Sequence, residues 1–176
     1  MNRTPGPNVF RAKMFAEAAH AGQSYDSFPY TYHLSQVVAM LEKFGFDDPI
    51  MLSAGWLHDS IEDTNRNYND IASEFGPEVA ELVYAVTNEK GRNRKERNAR
   101  TYPGIRGNDQ ATALKLADRI ANVEHGTING GKEEMYRKEF ENFQFHLRPS
   151  KEEAAKPEDE RITRMWTHLA RLLGIH

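Results

Sequence analysis

The stretch Gly55-Trp56-Leu57-His58-Asp59-Ser60-Ile61-Glu62-Asp63-Thr64 concentrates an imidazole and three carboxyls in a few residues. Its pattern predicts a helix: at about 100° per residue, Ile50, Ala54, Leu57 and Ile61 share an apolar stripe. His58, Asp59, Glu62 and Asp63 take the remaining arc, with 58/62 and 59/63 stacked one turn apart. No Lys or Arg stands between positions 44 and 65 to neutralise them. Carboxylates this close repel and raise one another's pKa unless a cation sits among them. A metal ion is the economical cation. His with Asp suits a divalent transition ion, which leaves Glu62 and Asp63 over for proton transfer. The plain alternative is a solvated acidic helix face.

Two distant positions gain meaning beside this stretch. His33 lies in the first turns of a helix that carries Val37, Val38, Met40 and Leu41 and stops at Gly45. Asp118 lies inside Asp109–Val123, where Ala111, Ala113, Leu114, Leu116, Ala117, Ile120, Ala121 and Val123 cover most of the circumference and predict burial. A buried Asp is costly unless paired or metal-bound, so Asp118 is either a ligand or the partner of Arg119 or another basic residue. Asn122 stands one turn beyond it on the same face. Residues 88–107 hold Lys90, Arg92, Arg94, Lys95, Arg97, Arg100 and Arg106 against Glu89 and Glu96. That excess reads as a solvated loop or frayed helix, or as an anion-binding lid.

The remaining elements must bring these groups together. Val9–Ala21 predicts a first helix ending at Gly22, with His20 read as a helix-end or packing residue. Residues 23–32 form an aromatic, turn-prone loop. Tyr68–Gly76 closes on a glycine suited to a C-cap, and Pro77 opens the next helix, with Val79, Leu82, Val83 and Val86 as its core stripe. Gly126–Gly131 reads as a loop and Lys132–Leu147 as a helix with Met135, Phe140, Phe143 and Leu147 inward. Ile162–Leu173 is amphipathic through Met165, Trp166, Leu169, Leu172 and Leu173. No useful alternating strand and no repeat occurs, so the expected fold is all-α: a single helical bundle. The expected organisation is an N-terminal lead over 1–8, a core over 9–147, a polar connector over 148–161 and a C-terminal helix over 162–176 packed back on the core.

With 176 residues the chain can bury roughly 70% of its unfolded surface as one domain. A net charge of −3 offers no global attraction for nucleic acid or an anionic membrane. Absence of Cys excludes disulfides, thiolate catalysis and Cys-zinc sites, leaving His, Asp and Glu as the ligand set. The first eight residues lack an apolar signal segment and no run of about 18 apolar residues occurs, so a cytoplasmic protein is expected.

The order His33, His58-Asp59, Asp118 closely resembles the H…HD…D pattern of the HD-domain phosphohydrolases. His20-Ala-Gly-Gln23 with Pro29-Tyr30 and His33, His58-Asp59-x-x-Glu62-Asp63-Thr64, and Lys115-Leu-Ala-Asp118-Arg119-Ile-Ala-Asn122 together resemble the RelA/SpoT-type alarmone hydrolase domain. The resemblance spans about Phe10 to Phe143. It implies an all-helical HD-type bundle binding one divalent ion, typically Mn2+, through His33, His58, Asp59 and Asp118. It further implies that Glu62 and Asp63 position or activate water, that Asn122 contacts the nucleotide sugar, and that basic residues, Arg94-Lys95 among them, hold the phosphates. Tyr136 falls where relatives place an aromatic substrate contact. There is no room for the synthetase domain of the long bifunctional enzymes, so the small alarmone hydrolases are the nearer likeness.

One departure bears on substrate. Where the alarmone hydrolases usually carry an Arg-Lys pair after His-x-Gly-Gln, this chain reads Tyr25-Asp26 in a loop one residue shorter. Tyr25 can stack on a base, whereas Asp26 repels a polyphosphate or reads a different base edge. The expected activity is removal of the 3′-pyrophosphate from guanosine-3′,5′-bis(diphosphate) or its adenosine analogue, with a phosphorylated nucleotide as the partner. The alternatives are phosphate removal from NADPH or a nucleoside monophosphate, and a non-catalytic nucleotide-binding HD module. A homo-oligomer is left open.

Overall fold

The computed structural model describes residues 7–150, 153 and 157–175. Helices α1 (Val9–Ala19), α2 (Tyr30–Lys43), α3 (Pro49–Leu57), α4 (Ser60–Asp63), α5 (Tyr68–Phe75), α6 (Pro77–Val86), α7 (Arg94–Ile105), α8 (Asp109–Asn129), α9 (Glu133–Leu147) and α10 (Glu160–Leu172) carry the fold. A hairpin of β1 (Ser24–Tyr25) and β2 (Phe28–Pro29) is its one sheet among the described residues. The all-α expectation holds, because two-residue strands bury no core of their own.

Side-chain chemistry explains the boundaries. Asn8, Asn67, Asn93 and Asn108 each accept a main-chain N–H of the first turn of α1, α5, α7 and α8, relieving donors that have no intrahelical acceptor. Asp48 does this for α3, followed by Pro49 at the first helical position. Gly76, with φ +91°, turns the chain sharply between α5 and α6 as the Gly76-Pro77 pair predicts.

Helix α8 is the central post. It packs against α2, α10, α6 and α9, and its apolar residues Ala111, Ala113, Leu114, Leu116, Ala117, Ile120, Ala121 and Val123 are all buried. Its last turn runs on to Asn129, so most of the expected 126–131 loop is helical. Gly126 lies against Gly131, where a Cβ on Gly131 would meet the Gly126 Cα at 2.8 Å. Helix α3 lies across α1, α2 and α6. Trp166 on α10 is buried against the rings of Phe140 and Phe143, at 6.3 and 5.3 Å, so the C-terminal helix seals the α8–α9 side. Residues 1–6, 151, 152 and 154–156 lie outside the described residues, so most of the expected lead and the middle of the expected connector are not described.

The predicted helix through residues 50–64 is interrupted. Helix α3 ends at Leu57, His58 and Asp59 form a turn, and α4 restarts at Ser60. Asp59 has φ −97° and ψ −1°, away from helical values, while the His58 ring donates from Nδ1 to the Gly55 carbonyl at 2.8 Å. In an unbroken helix, neighbouring side chains diverge by about 100°. The turn re-aims Asp59 so that both residues face one point.

Gly55 makes this approach possible. A Cβ there would lie 3.0 Å from Leu41 Cδ1 and 3.0 Å from Val38 Cγ2 on α2. Gly55→Val is therefore expected to destabilise the fold by about 1–3 kcal/mol through overpacking, measured as a lower denaturant midpoint. An unchanged midpoint would show that α2 and α3 separate at no cost.

Candidate metal centre

Four side chains from three parts of the chain converge beside α8. His33 comes from the second turn of α2, His58 and Asp59 from the turn after α3, and Asp118 from the middle of α8. His33 Nε2 is 3.2 Å from Asp118 Oδ1 and 3.6 Å from Asp59 Oδ2. His58 Nε2 is 3.0 Å from Asp59 Oδ2 and 3.8 Å from Asp118 Oδ1. Donor atoms of His33, His58 and Asp118 lie within 4.8 Å of one another. Both imidazoles are buried, with side chains 3% and 4% exposed, and the carboxylates keep 15% and 19%, which leaves one open side.

The chemistry of these atoms calls for a cation. Because Nδ1 of His58 donates to a carbonyl, a neutral ring turns its Nε2 lone pair toward the carboxylates. That Nε2 is buried and has no hydrogen-bond partner of acceptable geometry, despite the nearby oxygens. A lone pair facing carboxylates is repulsive unless a proton or a metal ion lies between them. The donor set, two imidazoles and two carboxylates, fits a divalent transition ion. Asp118 is not the partner of Arg119, which instead pairs with Glu139 at 3.3 Å.

Titration behaviour follows from the same crowding. Burial pushes the His58 pKa down, but the Asp59 and Asp118 carboxylates override it and hold it well above 6.5. Burial pushes Asp59 up, but the charge of the neighbouring His58 wins and brings it to about 2. Asp118 is likewise held well below the usual carboxylate range against burial, by the two imidazoles and Lys115. The upward shift favours the protonated His58 ring in the metal-free site. Metal binding through Nε2 must expel that proton, so we expect release of about one proton per ion from this residue and affinity that rises with pH. Calorimetry with manganese in buffers of different ionisation enthalpy reads this directly. A heat independent of buffer would contradict it.

Glu62 and Asp63 sit at the solvent-facing rim, on separate supports. Tyr30 OH is shared between Asp59 Oδ2 at 2.7 Å and Asp63 Oδ2 at 3.0 Å. Asn88 donates to Glu62 from its side chain at 3.0 Å and from its backbone at 3.2 Å. Desolvation is the largest influence on both carboxyls and raises both pKa values, with the Asp59 charge adding to the rise. Tyr30, Asn88 and Lys115 had no role assigned from sequence. Lys115 reaches the carbonyl of Val86, Asn88 Oδ1 and, at 3.9 Å, Asp118 Oδ2. Tyr30 and Lys115 stand in the Pro29-Tyr30 and Lys115-Leu-Ala-Asp118 motifs, but local spacing does not tell where a hydroxyl or ammonium ends, and Asn88 carries no motif signal.

The other expected contacts divide. Tyr25 and Asn122 lie at the centre: the Tyr25 ring stacks on His33 at 4.8 Å, and its hydroxyl donates to Asn122 at 2.6 Å. Asp26, at φ +51°, pairs with His125 at 2.6 Å. Tyr136 is buried between the guanidiniums of Arg94 and Arg119, 5.5 and 4.7 Å from its ring. Arg94 makes a two-pronged pair with Glu139 at 2.7 and 3.1 Å, and Lys95 is exposed. The basic stretch is therefore largely helix α7 rather than a frayed loop, and Arg94 is structurally engaged. Lys90 and Arg97 line a cavity of about 360 Å³ that also takes in Glu62 and Asn88.

These features define an all-helical His/Asp metal-site protein. The HD domain family matches residues 12–142, and the chain belongs to that family. It is 34% identical over 124 residues to the guanosine-3′,5′-bis(diphosphate) 3′-pyrophosphohydrolase of Borreliella burgdorferi, covering 66% of this chain and 18% of that protein. It is 32% identical over 103 residues to the Drosophila melanogaster enzyme of the same name, MESH1, covering 57% of this chain and 58% of that one. The aligned region thus spans less than two thirds of either relative. In fold it is similar to the solved metazoan SpoT ortholog described as hydrolysing ppGpp, with TM-score 0.76, 23% identity and 99% of each chain covered. No helix among the described residues is long and apolar enough to cross a membrane.

Proposed function

We propose that this protein is a Mn2+-dependent 3′-pyrophosphohydrolase of a guanosine- or adenosine-based bis(diphosphate) alarmone, carried by the core over residues 9–147. The observation that carries the reading is the convergence of His33, His58, Asp59 and Asp118 beside the rim carboxyls Glu62 and Asp63. The names of the relatives supply the substrate class. His33, His58, Asp59 and Asp118 would hold the ion, which when bound activates water and offsets charge on phosphorus. Glu62 and Asp63 take the proton of the attacking water. Oxygen bonds to the inner phosphorus of the 3′-diphosphate, the bond from phosphorus to the 3′-oxygen breaks, and that oxygen takes up a proton as pyrophosphate leaves. Asn122 faces the sugar, Tyr25 and Tyr136 bound the nucleotide, and Lys95, with Lys90 and Arg97 beside Glu62, faces the phosphates. Arg94 serves that region through Glu139.

A second reading keeps the site and changes the substrate to NADPH or a nucleoside monophosphate. The Asp26–His125 pair favours it, because a carboxylate stands where a polyphosphate would want a cation. The test is a manganese-supplemented assay of the purified protein against ppGpp, ppApp, NADPH and nucleoside monophosphates. Pyrophosphate release from an alarmone supports the first reading. Orthophosphate release from another nucleotide, with alarmones untouched, replaces it with the second. Stoichiometric metal without turnover on any of them refutes both enzyme readings and leaves a nucleotide-binding module.

A further inference from the structure

The hairpin between α1 and α2 and the first residue of α2 deliver two tyrosine hydroxyls, from Tyr25 and Tyr30, to the acidic side of the metal centre by separate routes. Tyr25 OH donates to Asn122 Oδ1 at 2.6 Å. The Asn122 amide then donates from Nδ2 to Asp118 Oδ1 at 2.7 Å and to the Asp118 main-chain carbonyl at 2.9 Å. An amide oxygen only accepts and an amide NH2 only donates. The phenol proton therefore selects the amide orientation in which NH2 faces Asp118; the flipped amide would set an oxygen against a carboxylate. One lone pair of Oδ1 stays available for a sugar hydroxyl.

On the other side, Tyr30 OH donates to Asp59 Oδ2, the oxygen 3.0 Å from His58 and 3.6 Å from His33, and is shared with Asp63. Both phenol rings are clamped against imidazoles. Tyr25 lies 18° from parallel on His33, and Tyr30 stacks on buried His20 at 4.6 Å and 8°. His20 Nδ1 in turn donates to Gln23 Oε1 at 2.8 Å, and Gln23 Nε2 donates to the Asp63 carbonyl at 2.8 Å. A phenol is protonated near neutral pH, so each hydroxyl is available as a donor.

We propose that Tyr25 and Tyr30 are positioning residues for the two acidic metal ligands, Tyr25 acting through Asn122 on Asp118 and Tyr30 acting directly on Asp59. This rests on the metal-hydrolase reading above. It gives the hairpin a task separate from substrate contact. Hydrogen bonds from outside the ligand set fix carboxylate orientation, and losing one commonly costs about 10–100-fold in metal affinity.

Tyr25→Phe and Tyr30→Phe keep the stacked rings and remove only the hydroxyls. Each is expected to weaken Mn2+ binding by about 10–100-fold in calorimetry and to alter the electron paramagnetic resonance line shape of the bound ion. The metal-free thermal midpoints should stay near wild type, which separates positioning from folding. Wild-type Mn2+ affinity in both variants would overturn the proposal while leaving the metal site intact. For Tyr25→Phe, a raised KM with unchanged Mn2+ affinity would make Tyr25 a substrate contact instead. Absence of Mn2+ binding by the wild-type protein would overturn this proposal together with the reading it rests on.

Discussion

Asp59→Ala is expected to lose metal binding and phosphohydrolase activity together, the rate falling by about 10³-fold or more. The reason is position. Its Oδ2 is the carboxylate oxygen 3.0 Å from one imidazole and 3.6 Å from the other, and it also accepts the Tyr30 hydroxyl. Removing it leaves His33, His58 and Asp118 close together, with one negative charge fewer to offset a divalent ion. The His58 pKa should fall at the same time, since the Asp59 charge is the chief influence holding it up against burial. Metal content after dialysis, read beside turnover, checks the result. Retained stoichiometric metal in Asp59→Ala would remove Asp59 from the ligand set.

Glu62→Gln and Asp63→Asn should behave differently, keeping the ion while losing about 10²–10⁴-fold in kcat, as expected for groups that move a proton. Each amide keeps the size of the acid and one accepting oxygen, so Tyr30 retains a partner at position 63 and Asn88 retains one of its two bonds to position 62, but basicity is gone. Burial raises both pKa values, and for Glu62 the Asn88 hydrogen bonds only partly oppose it. A base works when ionised, so kcat/KM should fall as pH drops through these raised values, above the ordinary carboxylate pKa. In the variant lacking the dominant base, that acidic limb should flatten. If both variants keep wild-type turnover, proton transfer belongs to another group. If either loses the ion, that residue belongs with the metal ligands.

Much of this was legible in the chain because it depends on neighbours in sequence. The boundary at Gly76-Pro77 follows from short-range capping chemistry. Burial of α8 follows from apolar residues around most of its circumference. The cost of an Asp inside such a helix singled out Asp118, and the unneutralised run from His58 to Asp63 singled out the rest. Residue types and helical period sufficed for these.

Where the chain was misread, a contact from elsewhere decided the matter. Periodicity alone would continue a helix through His58 and Asp59. The break depends on a ring-to-carbonyl bond and on the pull of His33 and Asp118, which arrive on other helices. Arg94 had the composition of a phosphate ligand, yet Glu139, distant in sequence, holds it. Sequence by itself determined the helical class, the Gly76-Pro77 boundary and the kinds of atoms available to a cation. Only the tertiary structure decided which oxygen faces which nitrogen, that Tyr30 joins Asp59 to Asp63, and that Tyr25 and Asp26 close on Asn122 and His125. The physical reason is range: capping and periodicity act over a turn of helix, whereas a metal site is set by distances of a few ångströms between residues far apart in the chain.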